Sequence, residues 1–240
     1  MGQGKLKMWR FFHGWNIIKK TKLEERSTMD NKALYNLSYG VFMLATKQGE
    51  TVNGCITNTC MQVANSPTRV AISCINANYT CELLKQSGVF ALTLLDETCD
   101  FETIRHFGMQ SGRDVNKFTG EFDPAKLPSD LNQIPYLKEH ACSVISCRVL
   151  ESNDLGSHTL FIAEIVDAVL LNDRKPLTYA DYQGRVKPRS DAAKNESSDR
   201  KIVAWKCRIC GYVYEGSELP ADYMCPVCGH PASDFEPVYG

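Results

Sequence analysis

The residues best suited to chemistry lie near the C-terminus, where the chain reads W-K-C-R-I-C-G-Y-V-Y-E-G from Trp205 and then Y-M-C-P-V-C-G from Tyr223. Cys207, Cys210, Cys225 and Cys228 make two C-x-x-C-G knuckles with 14 residues between them. Four thiolates so spaced suit a tetrahedral metal site. Zinc accepts this donor set as readily as iron, so a redox-inert structural ribbon and a one-electron centre both remain open on ligand type alone. The segment from Ala204 to Gly240 has 37 residues, fewer than the roughly 40 at which a core becomes self-sufficient. The metal is therefore structural, whatever else it does. Gly211 and Gly229, each after a second cysteine, let the backbone fold over the metal so that amide N–H groups point at sulfur.

Three further segments place polar groups where a ligand could meet them. V-N-G-C-I-T-N-T (Val52 to Thr59) follows the turn Lys47–Glu50 and offers the hydroxyls and amide of Thr57, Asn58 and Thr59. I-S-C-I-N-A-N-Y-T (Ile72 to Thr80) ends an apolar run beside a predicted helix start, where unpaired N–H groups and the helix dipole favour an anion such as phosphate. H-F-G-M-Q-S-G-R-D-V-N-K-F (His106 to Phe118) supplies Arg113 and Lys117 as phosphate cations, with Ser111 and Gly112 allowing close approach. Taken singly, each segment reads equally well as an ordinary turn.

These residues need elements to hold them. The stretches Val41–Thr46, Val70–Ile75, Phe90–Leu95, Cys142–Leu150 and Leu160–Leu171, separated by Gly, Asn, Pro and Ser, predict strands. Thr80 is placed to cap a helix through Gln86 that stops at Gly88, and Asp100 to cap another ending near Gly108. Many strands with few short helices predict a mostly β barrel or sandwich. No G-x-G-x-x-G occurs, so there is no sign of a separate dinucleotide-binding domain.

Composition divides the chain and narrows its partners. Residues 1–28 carry seven Lys/Arg against Glu24 and Glu25 and read as a basic, disordered leader. Arg10, His13, Gly14 and Asn16 interrupt its aromatic cluster and exclude a signal peptide. Residues 29–183 form the strand-rich domain, 184–203 a charged flexible linker marked by Pro188, and 204–240 the metal module. A net charge of −1 gives no drive toward nucleic acid, and no stretch approaches the ~18 apolar residues that would span a membrane. Seven of the eleven cysteines are scattered singly through apolar stretches, which suits buried thiols in a reducing cytoplasm.

Two resemblances join these observations. The C-terminal segment resembles rubredoxin in W-K-C-R-I-C-G-Y-V-Y-E-G, C-P-V-C-G and the closing D-F-E-P (Asp234 to Pro237), with the shortened spacing found at the end of rubrerythrins. Residues from Leu34 to about Leu171 resemble the flavin reductase family in G-V-F-M-L-A-T, N-G-x-x-x-N-T, S-G-V-F-A-L-T-L-L, S-G-R-D-V-x-K-F and G-S-H-T-L-F-I-A-E-I. The resemblance implies an FMN-binding split β-barrel and a homodimer. It implies FMN contacts from Asn53, Cys55, Thr57, Asn58 and Thr59, from Ser73, Asn76, Asn78 and Thr80, and from Ser111, Gly112, Arg113 and Lys117. His158 corresponds to the family's histidine near the flavin; by itself it also reads as a strand-end histidine with a satisfied hydrogen bond. Cys55 likewise reads as a buried inert thiol.

Together the two parts resemble the high-molecular-weight rubredoxins of anaerobes. That implies electron transfer from NAD(P)H through FMN to a mononuclear four-cysteine iron, then to a protein acceptor such as a flavodiiron oxygen or nitric-oxide reductase. The alternatives are a flavoredoxin-like carrier without nicotinamide activity and a flavin-binding protein with a structural zinc ribbon.

Overall fold

The computed structural model describes residues 31–188, 201–209, 211–227 and 229–239. The leader over 1–28 lies outside them, as do residues 189–200 of the linker and the predicted metal ligands Cys210 and Cys228. The unit Met1–Leu37 holds, among its described residues, a single 3-10 turn at Asn31–Asn36.

From Ser38 onward the first domain is one antiparallel sheet. Its strands are β1 (Phe42–Gln48), β2 (Thr51–Thr57), β3 (Cys60–Asn65), β4 (Thr68–Ile75), β5 (Val89–Leu95), β6 (Ala141–Asp154) and β7 (His158–Leu170), in the order β2-β1-β5-β6-β7-β4-β3. The two edge strands, β2 and β3, are joined only through Asn58 and Thr59, so the sheet must curl until its edges meet. At the seam Thr57 Oγ1 donates to Ser73 O at 3.2 Å, and Ser73 N donates to Thr59 O at 3.3 Å. A link and a few hydrogen bonds close the barrel in place of a full ladder. This is the mostly β split barrel that the sequence predicts.

Alternation along β1 and β5 feeds two cores. Leu44, Phe90 and Leu92 point into the barrel with Ile72 and Phe161, and helix α1 (Tyr79–Ser87) closes that interior with Cys81 and Leu84. Met43, Ala45, Ala91 and Leu95 face outward, packed with Ile104 and Phe107 of helix α2 (Phe101–Gly108). Strands covered on both faces carry near-continuous apolar runs, which is why β1 and β5 stand out in the sequence.

The helix starts differ in one detail from expectation. Asp100 caps α2, accepting from Thr103 N at 2.8 Å, and Gly88 (φ 68°) ends α1 in the left-handed conformation, both as predicted. The cap of α1, however, is Asn78, whose side chain accepts from Thr80 N at 3.0 Å. Thr80 is the second helical residue, and its hydroxyl is committed inward, accepting from Asn53 Nδ2 at 3.0 Å. Strands β2 and β3 have no counterpart among the predicted strands: both are edge strands, β2 broken by Asn53 and Gly54 and β3 with its larger apolar side chains, Met61 and Val63, exposed.

After β7 the chain returns across the barrel in a helical segment spanning 179–186, entered through Thr178, whose hydroxyl accepts from Asp181 N at 3.0 Å. Tyr182 and Val186 of this segment pack on the outer core. The predicted linker over 184–203 therefore begins with packed residues, and its described start is not a solvated tether. The metal module follows as β8 (Ile202–Cys207), β9 (Val213–Glu215) and β10 (Phe235–Tyr239), in the order β10-β8-β9. Cys207, Cys225 and Phe235 form its centre, with Trp205, Tyr212, Tyr214 and Tyr223 packed against it.

Candidate functional site

The seam of the barrel opens into a groove of about 160 Å³. Its floor is the end of β2 (Cys55 to Thr57), the link Asn58–Thr59 and the end of β4 (Ser73 to Ile75). Asn78, at the cap of α1, and His158, at the start of β7, complete the polar side. Ile104, Gly108 and Met109 from the end of α2 and Tyr179 and Tyr182 from the returning segment form an apolar wall. Ile209 and His230 of the metal module line the same groove. The floor residues meet there because a split barrel leaves strand ends side by side, with their backbone groups only partly used by the ladder.

The hydroxyl and amide groups on the floor are organised among themselves. Thr57 Oγ1 accepts from Thr59 N at 3.3 Å, and Thr59 Oγ1 donates to Asn58 Oδ1 at 3.1 Å. His158 shares a 2.8 Å hydrogen bond between Nδ1 and Ser157 Oγ, and burial, then the nearby His230, pushes its pKa down. A half-buried imidazole so placed is held neutral near pH 7. A groove with hydroxyls and amides on one side and Ile56, Ile104 and Met109 on the other suits a flat ring system that is polar along its edge and apolar across its faces.

Of the thirteen residues predicted to contact FMN, the structure brings Cys55, Thr57, Asn58, Thr59, Ser73 and Asn78 to the groove, along with His158. Cys55 is buried, and the neighbouring Cys74 side chain pulls its pKa down against the opposing effect of burial. Asn53 and Thr80 lie beneath the floor, bonded to each other. Asn76 ties the β6–β7 turn: its amide nitrogen donates to Asp154 Oδ1 at 3.0 Å and to Gly156 O at 2.8 Å. The close approach made possible at Gly112 is to Asn53, whose amide a Cβ at position 112 would strike. Ser111 Oγ accepts from Arg113 N at 3.1 Å, and Arg113 itself is exposed, paired with Glu82 at 2.7 Å and stacked 5.1 Å above the Tyr79 ring.

Lys117 departs most from expectation. The sequence pairs it with Arg113 as a phosphate cation, but its side chain is turned inward and 2% exposed, with Nζ donating to Gly54 O at 2.9 Å and Phe107 O at 2.8 Å. A stem long enough to cross from the 111–118 loop to β2 makes it a strut between two backbone segments. Burial pushes its pKa down.

Sequence reasoning overlooked the returning segment and the roof of the groove. Thr178-Tyr-Ala-Asp181 is a helix-start signature that brings Tyr179 and Tyr182 to the site, and it was available in the sequence. Ile209 and His230 carry no such signal, since only the docked pose brings them to the groove.

The two knuckles are near copies of each other. Gly211 N donates to Cys207 O at 2.9 Å, and Gly229 N donates to Cys225 O at 2.8 Å, with φ of 79° and 70° at the two glycines. Cys207 N donates to Tyr212 O at 2.7 Å, and Cys225 N to His230 O at 2.8 Å. Such paired turns, with Cys207 and Cys225 buried at the centre, fit a tetrahedral thiolate site.

Residues 34–188 match the family model of the flavin reductase like domain, and residues 205–236 that of the rubrerythrin, rubredoxin-like domain. The protein is thus a flavin reductase-type barrel carrying a rubredoxin-type module, and the two families imply that it binds a flavin and iron. The chain is 30% identical to the high molecular weight rubredoxin of Moorella thermoacetica in an alignment of 235 positions that covers 88% of this chain and 100% of that one. It is 35% identical to a ferric-chelate reductase (NAD(P)H) of Archaeoglobus fulgidus over 155 residues, 64% of this chain and 89% of that protein. Its fold superposes on flavin reductase PheA2 with a TM-score of 0.51 at 21% identity, covering 79% of this chain and 100% of the other. The chain belongs to the flavin reductase-like family, in the two-domain form of the high-molecular-weight rubredoxins. It is a flavin-dependent electron-transfer oxidoreductase. Among the described residues, no helix is long and apolar enough to cross a membrane.

Proposed function

We propose that the protein draws electrons from NAD(P)H, uses FMN in the groove and iron at Cys207, Cys210, Cys225 and Cys228, and delivers to a protein acceptor in the cytoplasm, of which a flavodiiron oxygen or nitric-oxide reductase is the favoured class. The observation that carries this reading is the shared lining of the groove: Ile209 lies inside the first cysteine knuckle, His230 directly follows the second, and both face the same space as Thr57, Asn58 and Ser73. A flavin takes up a hydride and releases electrons singly, which matches a two-electron nicotinamide to a one-electron iron.

The chain's own residues position and insulate. Thr57, Asn58, Thr59, Ser73 and Asn78 present the donors and acceptors that would fix the edge of the ring, and Ile56, Ile104 and Met109 keep water from its face. Arg113 is the available phosphate cation, because its pairing with Glu82 is exposed and readily exchanged. His158, kept neutral, lends a hydrogen-bonding imidazole without adding charge. A homodimer is supported by Leu150, Val166, Val169 and Leu170 of β6 and β7, which are exposed on one long hairpin.

The test is anaerobic stopped-flow mixing with NADH and with NADPH. The flavin absorption should bleach first and the ferric–thiolate absorption second. Reduction only after a ferredoxin-type donor is added would identify a flavoredoxin-like carrier. A purified protein with zinc and no red colour would reduce the module to a structural ribbon.

A further inference from the structure

The metal module is bolted over the groove through one buried ion pair. Lys187 Nζ lies 2.6 Å from Asp234 Oδ1, with side-chain exposures of 12% and 3%. Each partner is fastened to a groove residue on its own side. Lys187 N donates to Tyr182 O at 2.8 Å, and Tyr182 lines the groove. Asp234 O accepts from Arg208 N at 2.9 Å, Arg208 donates through its guanidinium to Ser233 O at 2.9 Å, and the next residue, Ile209, lines the groove from above. The path from Tyr182 through Lys187, Asp234 and Arg208 to Ile209 is thus continuous.

With the module in this pose the groove encloses about 160 Å³, against the roughly 300–1,000 Å³ of pockets that bury a drug-sized ligand. That space is too small for two stacked ring systems. Ile209 and His230 are the groups that line the groove from the side of the module.

We propose that Lys187 and Asp234 are positioning residues that hold the metal module over the groove, and that the docked module and the nicotinamide occupy the same access in turn. The inference rests on the reading given under Proposed function. Electron balance gives the alternation its rhythm: NAD(P)H and two ferric ions yield NAD(P)⁺, a proton and two ferrous ions. One iron per chain must therefore discharge to its acceptor between two visits for every nicotinamide consumed. A buried ion pair suits this duty because it is specific in register yet gains little net energy over separated, hydrated charges.

The experiment uses the full-length protein and the variants Lys187→Glu, Lys187→Met and the charge-swapped pair K187D/D234K. Amide hydrogen exchange at Ile209 and at Thr57–Thr59 reads the docked pose without any electron donor. Lys187→Glu should speed exchange at both places by about tenfold or more, as expected when one partner of a buried pair is reversed, with Lys187→Met intermediate and the charge swap restoring protection. Stopped-flow mixing with NADH should show faster flavin bleaching and slower iron bleaching in Lys187→Glu, two phases moving in opposite directions. A merely structural lysine would slow both. Unchanged exchange in Lys187→Glu, or failure of the charge swap to restore protection, overturns the proposal. If NADH and NADPH bleach nothing in the unsubstituted protein, the functional reading falls, while the exchange data still decide the latch. Should Lys187→Glu lose its iron or its circular dichroism, Lys187→Met supplies the decision.

Discussion

The barrel and the metal module hold their redox groups by opposite means. The barrel has two apolar cores, one inside and one outside the sheet, and its groove is a by-product of strand ends that the split leaves adjacent. Among the described residues, the module has one small apolar centre in which Cys207 and Cys225, two of the four proposed metal ligands, are buried with Phe235. The barrel has a core large enough to fold by itself, whereas the module, at 37 residues, is of the size that relies on a metal. The comparison teaches that removing flavin and removing metal are different kinds of perturbation.

The largest expected effect tests that difference. Cys207→Ser, or extraction of the metal by a chelator from the unfolded-refolded protein, should abolish the ferric–thiolate colour and the exchange protection of β8–β10, since metal binding at such sites supplies on the order of 10 kcal/mol of folding free energy. The barrel should keep its strand content and its flavin. Loss of flavin binding in Cys207→Ser would show that the two scaffolds fold as one.

Within the barrel, Lys117 and Arg113 sharpen the contrast between supporting the groove and filling it. Lys117→Ala leaves the carbonyls of Gly54 and Phe107 without their donor in a buried site and opens a cavity, so it should cost about 2–5 kcal/mol in chemical denaturation. The flavin affinity of the folded fraction should stay unchanged. Arg113→Ala should do the reverse: stability should shift by no more than ~0.5 kcal/mol, as for exposed ion pairs, while flavin retention on a desalting column falls. If Lys117→Ala loses flavin without losing stability, the phosphate role read from the sequence is correct after all.

These two cations also show where sequence reading stops. S-G-R-D-V-x-K-F contains both, and nothing in the pattern says which one points outward; that depends on the distance from the 111–118 loop to β2, a tertiary quantity. The same holds for Asn78 and Thr80, both competent caps two residues apart, where the inward hydrogen bond from Asn53 to Thr80 decides. Elements buried on both faces, such as β1 and β5, were legible because their apolar runs leave little ambiguity. The knuckle cysteines were legible because metal geometry fixes their spacing. The edge strands β2 and β3 and the roof of the groove were not, since polar or exposed residues blur the edge strands and docking alone creates the roof.

A smaller effect comes with acid. Burial alone raises the Asp96 carboxyl, but the hydroxyl and amide of Thr98, at 2.6 and 2.8 Å, together with Arg174 outweigh it and hold its pKa below the ordinary 3.8. A depressed folded value means that the stabilisation is complete above pH 3.8 and fades as pH falls through the folded pKa. Asp96→Asn should cost about 1–2 kcal/mol at neutral pH, and the gap between it and the unsubstituted barrel should close as the pH is taken below that range. A gap that stays constant down to the acid transition would mean that the carboxylate charge contributes nothing there.

Asn78 carries the smallest effect and separates the two duties of a groove residue. As the cap of α1 it satisfies Thr80 N, and Asn→Ala at such a site costs about 1 kcal/mol. As a groove residue it would also present an amide to a flavin bound there. Asp caps a helix as well as Asn does, so Asn78→Asp should leave thermal stability nearly unchanged while removing an N–H donor and adding a negative charge beside the ligand. Flavin affinity should then fall in Asn78→Asp at constant stability, and both should fall in Asn78→Ala. Equal flavin affinity in Asn78→Asp and the unsubstituted protein would confine this side chain to the helix, and the polar edge of the groove would have to come from Thr57, Asn58, Thr59 and Ser73 alone.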